Sequence, residues 1–216
     1  MEIFWYGHSC FRLTGRKQAS VVCDPYNYEL VGYTPLKLKA DIVTISHDSP
    51  SSNNLKAVRG KPYVIDCPGE YEISNVFITG IRIDMRGKEK EDSHVNLMYL
   101  INYSGINIVH LGDMHIVPTQ TEVESLGPVN IALVPVGDGG GLNAAKAAEV
   151  ISLLDPNIVI PMHYATPSEK ITLEPISKFL KEMGLLEVKT MPSLKINNEN
   201  ELPEDTQVIV LDYDRK

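Results

Sequence analysis

The sequence has no long apolar run. No stretch reaches the roughly 18 consecutive apolar residues that mark a bilayer-spanning helix, so no membrane role is expected. It also lacks a basic block. Twenty Lys and Arg against 28 Asp and Glu give a net charge of −8, with an isoelectric point near 5.2. Nucleic-acid binding calls for a basic footprint, so no nucleic-acid partner is expected. Cysteine is sparse: Cys10, Cys23 and Cys67 are odd in number and none forms a CxxC pair. That excludes a thiolate zinc knuckle. It fits reduced, buried thiols in a cytoplasmic protein. Met1–Trp5 lacks the basic region and apolar core of a secretory signal. No repeat of 20–50 residues is visible.

What remains is an ordinary globular composition, 43% hydrophobic and 22% charged over 216 residues, read as one domain spanning 1–216. The first half is strand-rich. Apolar or alternating runs fall at 2–6, 10–13, 20–23, 42–46, 62–66, 76–83, 96–103 and 106–111, with a Pro68-Gly69 turn between two of them. The second half alternates. Thr119 with Glu122 caps a short helix over 119–126, and 130–136 reads as a buried strand. Asn143 caps a helix with an apolar stripe of Ala144, Ala147, Ala148, Ile151 and Leu154, stopped at Asp155-Pro156. A strand at 158–161, a helix at 173–183 and a closing strand at 207–211 follow. This order predicts an α/β protein with sheets covered by helices.

Chemistry-bearing residues recur at strand ends. They are His8 after Gly7, Asp24 after the third strand, His47 after the fourth, Asp113 after His110-Leu111-Gly112, and His163 after Met162. Loops along one sheet edge are where a scaffold presents functional groups. His115 reads as a surface residue and His110 as core or support. Glu70 either orients a pocket histidine or caps a turn. Gly139, Gly140, Gly141 and Asn143 form a glycine loop feeding a helix N-terminus, an arrangement that can receive an anion. The loop lacks the Lys-Ser/Thr of a nucleotide-binding P-loop.

The segments WYGHSCFRL, CDPY, ADIVTISHD, VIDCPGEYEI, VFITGI, HLGDMH, ALVPVG, LNAAKAAEVI and NIVIPMHY run in order over residues 1–166. In them the chain resembles the metallo-β-lactamase superfamily. It is similar to the branch of zinc-dependent hydrolases that includes ascorbate-phosphate lactonase-like proteins. The resemblance implies a four-layer αβ/βα sandwich, two mixed sheets flanked by helices, with a metal site at one sheet edge. It also implies an HxHxDH loop, a histidine after the ITGI strand, a bridging aspartate in the LGD segment and a last histidine in PMHY. Carried over residue by residue, His47, Asp113 and His163 remain. Ser49, Ser51 and Ser52 occupy three ligand positions and Met85 a fourth, with His94, nine residues further on, as its alternative. Serine hydroxyls are poor zinc ligands, and a thioether suits softer ions.

Two functions follow. The first is a protein with a degraded two-metal centre, unable to do two-zinc hydrolysis, that binds a small anionic molecule or a protein partner. The second is a hydrolase with a remodelled one-metal site of His47, Asp113 and His163, acting on a small ester or lactone, phosphorylated or not. The cofactor expectation is accordingly none, or one divalent ion, zinc or manganese. Asp113 and His8 are the candidate catalytic residues. Nothing in the sequence specifies an oligomeric state.

Overall fold

The computed structural model describes residues 1–85 and 94–213, and only the backbone of residues 84, 85 and 94. The chain begins with β1 (Glu2–Trp5), β2 (Phe11–Thr14), β3 (Val21–Cys23), the one-turn helix α1 (Tyr28–Val31), β4 (Leu38–Lys39) and β5 (Ile42–Thr44). It continues through β6 (Val58–Arg59), β7 (Tyr63–Ile65), β8 (Gly69–Ile73), β9 (Val76–Met85), β10 (His94–Tyr103) and β11 (Ile106–His110). Helices α2 (Gln120–Leu126), α3 (Ala144–Leu154) and α4 (Ile176–Glu182) then alternate with β12 (Ile131–Pro135) and β13 (Ile158–Met162). Three strands end the chain: β14 (Lys189–Met191), β15 (Leu194–Lys195) and β16 (Gln207–Leu211).

These strands form a six-stranded sheet in the order β15-β1-β2-β3-β5-β7 and an eight-stranded sheet in the order β14-β16-β13-β12-β11-β10-β9-β8. β4 and β6 pair separately. Both large sheets are mixed. β3, β5 and β7 run parallel, as do β11, β12, β13 and β16, while the remaining neighbours in the first sheet and in the β8–β11 block are antiparallel. β12 (IALVP) and β13 (IVIPM) are buried at every residue, as continuous apolar strands covered on both faces must be. No helix among the described residues is long and apolar enough to cross a membrane.

The caps read from sequence are formed. Thr119 and Glu122 make a reciprocal capping box. The Asn143 side chain accepts from the Lys146 N–H, and Ala147, Val150, Ile151 and Leu154 bury the inner face of α3. Asp155 ends that helix in the left-handed region, and Pro156 prevents its resumption.

Three expectations change. The fourth helix starts at Ile176 rather than 173, because Pro175 is its N-cap and holds the preceding backbone extended. The Glu174 N–H is spent on the Gly137 carbonyl instead. The segment after Pro68, expected as a turn, continues as the edge strand β8 with exposed Glu70 and Glu72. Cys67 is exposed, its thiol beside Asp66; only Cys10 and Cys23 are buried. The tail adds strands to both sheets.

The two sheets share one apolar core, and β10 stitches them with polar bonds. The Tyr99 hydroxyl reaches the carbonyls of Ile45 (2.8 Å) and Ile65 (2.9 Å). Tyr103, four residues on and so on the same strand face, reaches those of Ala19 (2.6 Å) and Leu13 (3.3 Å). Both rings are fully buried. Tyr99→Phe should therefore cost about 1–2 kcal/mol, read as a lower urea midpoint at unchanged slope. An unchanged midpoint would show that the stitch contributes nothing.

Candidate functional site

Strand direction gathers the site. The C-terminal ends of β3 and β5 in one sheet, and of β11, β12 and β13 in the other, open on a common edge, where crevices in parallel sheets form. β1 runs in the same sense as β3 because two antiparallel pairings separate them, so the β1–β2 turn brings His8 there too. Asp24, His47, Asp113, Asp138 and His163 all follow these ends.

The backbone is strained at several of these points. His8 (φ 50°), Asp24 (φ 44°), Asp138 (φ 56°) and His163 (φ 51°) all adopt the left-handed region, which only a few per cent of non-glycine residues enter. Such conformations persist where the surrounding structure over-determines them, and they cluster at functional sites. Gly112 (φ 66°) is required for a second reason. A Cβ there would lie 2.3 Å from Asn96 Oδ1 and 2.6 Å from Ser46 Cβ.

Asp113 is the centre of the group. Its Oδ1 lies 3.3 Å from His163 Nδ1 and its Oδ2 lies 3.7 Å from His47 Nε2. Neither Asp113 Oδ1 nor His163 Nδ1 makes a hydrogen bond, although both are buried. Two buried polar atoms this close together, neither of them hydrogen-bonded, suit a shared cation or donor. Ligand bonds of about 2.0–2.2 Å in a tetrahedral zinc site put neighbouring ligands about 3.4 Å apart, close to both spacings. The two histidines face opposite oxygens of one carboxylate, however. Among the described residues no group of three or more His, Cys, Asp or Glu side chains is arranged to hold a metal ion.

The serines do not supply the difference. Ser49 Oγ and Ser51 Oγ bond each other at 2.7 Å, and Ser52 is fully buried with its hydroxyl unpartnered. The backbone of Met85 pairs with that of His94 across β9 and β10; their side chains lie outside the described residues, as do residues 86–93.

The other polar groups support this centre. Asp24, fully buried, accepts the Ser46 N–H on Oδ1 (2.8 Å) and the Ser46 hydroxyl on Oδ2. Ser46 Oγ lies 2.9 Å from His47 Nδ1. Asn96 donates to the Leu111 carbonyl and accepts from the Asp113 N–H, fixing the turn that carries Asp113. His110 has both nitrogens occupied. Nε2 donates to the Ser9 carbonyl (2.9 Å) and Nδ1 accepts from the Gly112 N–H (3.2 Å). His8 stands behind His163, the rings 4.4 Å apart and edge-on, with Nδ1 held by the buried Glu169 at 3.1 Å. Ser46, Asn96 and Glu169 had no signal in the sequence beyond their proximity to strand ends and loops.

A cavity of about 840 Å³ opens beside Asp113. His115, expected at the surface, lines it. So do Gly140 and Gly141, whereas Gly139 packs against Thr172 and Leu173. Asn143 spends its side chain on the helix cap. Among the described residues, three carboxylates, Asp48, Asp113 and Asp138, face the cavity together with the ammonium of Lys146, which also donates to the His115 carbonyl. Exposed Glu70 lies on β8 and takes no part in the lining.

The profile of the Beta-lactamase superfamily domain matches residues 2–163. A UPF0173 protein of Pyrococcus furiosus is 31% identical over 191 residues, covering 78% of this chain and 86% of that one. A UPF0173 metal-dependent hydrolase of Thermococcus onnurineus is 25% identical, covering 77% and 85%. Among solved structures, a Thermotoga maritima protein assigned to the Zn-dependent hydrolases of the metallo-β-lactamase superfamily superposes with a TM-score of 0.79 at 33% identity, over 97% of each chain. Igni18, a metallo hydrolase of Ignicoccus hospitalis, shares the fold with a TM-score of 0.67 at 18% identity, over 91% of this chain and 99% of its own.

Burial, reinforced by His8 and His47 and opposed by Asp113, pushes His163 from 6.5 down to about 3. Between those values the unfolded chain binds a proton that the folded chain does not. Stability therefore falls as pH drops through that window, by up to about 1.4 kcal/mol per unit. In chelator-treated protein, urea midpoints at pH 7 and pH 5 should differ more for the wild type than for His163→Gln. Equal differences would show that His163 is not held neutral.

Proposed function

The chain belongs to the β-lactamase superfamily, in its UPF0173 metal-dependent hydrolase branch, and on that premise we propose that it keeps the ligand cleft of this fold without a two-metal hydrolytic centre. The observation that carries this is the ligand inventory. Asp113 offers one oxygen to each of two histidines, while Ser49 and Ser51 are turned onto each other. Among the described residues, each half of a two-metal site is left with one histidine and half a carboxylate, fewer than the three protein ligands a catalytic zinc normally takes. A two-metal group does not fit these residues.

In this reading the cleft binds a small polar molecule. Asp113 Oδ1 and His163 Nδ1, unpartnered and adjacent, take its donor end. Lys146 takes any anionic group, because Asp48 and Asp138 repel one elsewhere along the lining. Gly140 and Gly141 give that group a close approach to the start of α3.

The orphaned pair also supports a second reading. One divalent ion, zinc or manganese, would be held by Asp113, His163 and His47 after a small closure of the two histidines. Such an ion supplies Lewis acidity toward a small ester, lactone or phosphoester. Asp113 would orient it and His8, braced by Glu169, would keep the His163 ring in place.

Metal analysis of protein purified without chelator, with calorimetric titration of zinc and manganese, separates these. The first reading expects less than one equivalent of either metal and only background hydrolysis of ester, lactone and phosphodiester substrates. One equivalent, lost in His163→Ala together with turnover, establishes the second reading. Two equivalents with turnover would overturn both.

A further inference from the structure

We infer that Asp24 and Ser46 are positioning residues that hold His47 as the Nδ1–H tautomer, so that its Nε2 presents a lone pair to the cleft. Counting protons leads there. A carboxylate only accepts, and a serine hydroxyl has one proton to give. Both oxygens of Asp24 are engaged by Ser46, one by its N–H and the other by its hydroxyl. The Ser46 proton is therefore committed to Asp24. The remaining contact of Ser46 Oγ, 2.9 Å to His47 Nδ1, must then be donated by the imidazole. With its proton on Nδ1, neutral His47 has an acceptor at Nε2, the nitrogen that faces Asp113 Oδ2 across 3.7 Å.

The relay is built for rigidity. Asp24 and Ser46 are buried at 0% and 1% exposure. His110 Nδ1, 4.0 Å from Asp24 Oδ2, already accepts from the Gly112 N–H and does not compete for a proton. The Leu97 N–H holds the Ser46 carbonyl at 2.7 Å, fixing the residue from the opposite sheet. Partners of this kind set which ring nitrogen of a histidine is free to act. The consequence is an acceptor facing an acceptor, His47 Nε2 against Asp113 Oδ2. The cleft is preset for a group that takes electron pairs, a cation or a hydrogen-bond donor. This concerns the chain's own atoms and does not rest on the reading of the cleft as lacking two metals.

Long-range proton–nitrogen correlation spectra of 15N-histidine-labelled, chelator-treated protein test it, with His47 assigned from the signal missing in His47→Gln. The expected spectrum has a protonated, pyrrole-type Nδ1 and a pyridine-type Nε2 for His47. Ser46→Ala should move both nitrogens toward averaged values or exchange their roles, while the His110 signals stay unchanged. A wild-type Nε2–H would overturn the inference, because the chain of bonds would then run the other way from a protonated Asp24. A wild-type Nδ1–H that survives Ser46→Ala unaltered would remove Ser46 from it. If Ser46→Ala does not fold, Ser46→Cys carries the same comparison, and the wild-type spectrum alone decides the tautomer. Metal content has no part in the readout, so failure here is distinct from failure of the proposed function.

Discussion

The carboxylate of Asp24 is the constraint around which the site is arranged. A buried, unpaired carboxylate is among the costliest groups a fold can carry, and this one is wholly enclosed. Its solution is local and complete: both oxygens are met by Ser46, the last residue before His47. Satisfying the buried charge therefore fixes the end of β5 and the orientation of the first histidine of the cleft together. The same junction sets how close the second sheet comes. Gly112 has to be glycine because Ser46 and Asn96 occupy the space a side chain would need, and Asn96 in turn holds the turn bearing Asp113.

Much of this was legible in the sequence. The buried strands β12 and β13 announce themselves as unbroken apolar runs, and the caps of α2 and α3 follow from Thr119, Glu122 and Asn143. His47, Asp113 and His163 stand out because they close strands. Other features were hidden for physical reasons. β8 carries Gly69, Glu70 and Glu72, which read as a turn, and only pairing with β9 makes it a strand. Ser46 is an unremarkable hydroxyl until a carboxylate 22 residues earlier folds onto it. Glu169 meets His8 across 161 positions, a separation at which local pattern carries no information.

On the proposed reading of the cleft, scaffold and chemistry separate. The fold shared with metal-dependent hydrolases rests on apolar strands and on the Asp24 and Asn96 contacts, none of which needs a metal. Serine at positions 49, 51 and 52 leaves those supports in place: the hydroxyls of Ser49 and Ser51 satisfy each other, and only Ser52 carries a buried hydroxyl without a partner. Fold and function are different kinds of fact about such a chain, and similarity of the whole says less than the inventory of one loop.

The two phenols on β10 bear on how anything enters the cleft. Tyr99 and Tyr103 tie the backbone of one sheet to that of the other at both the β5–β7 and the β2–β3 sides. Sliding one sheet over the other would break buried bonds at two places at once, so the floor of the cleft behaves as a single plate. Traffic is left to the rim, where the turn at 48–53 faces the glycine loop at 138–141. The rate at which a ligand comes and goes is then set at the rim, to which those two short loops contribute among the described residues, and the shape that greets it inside is already set.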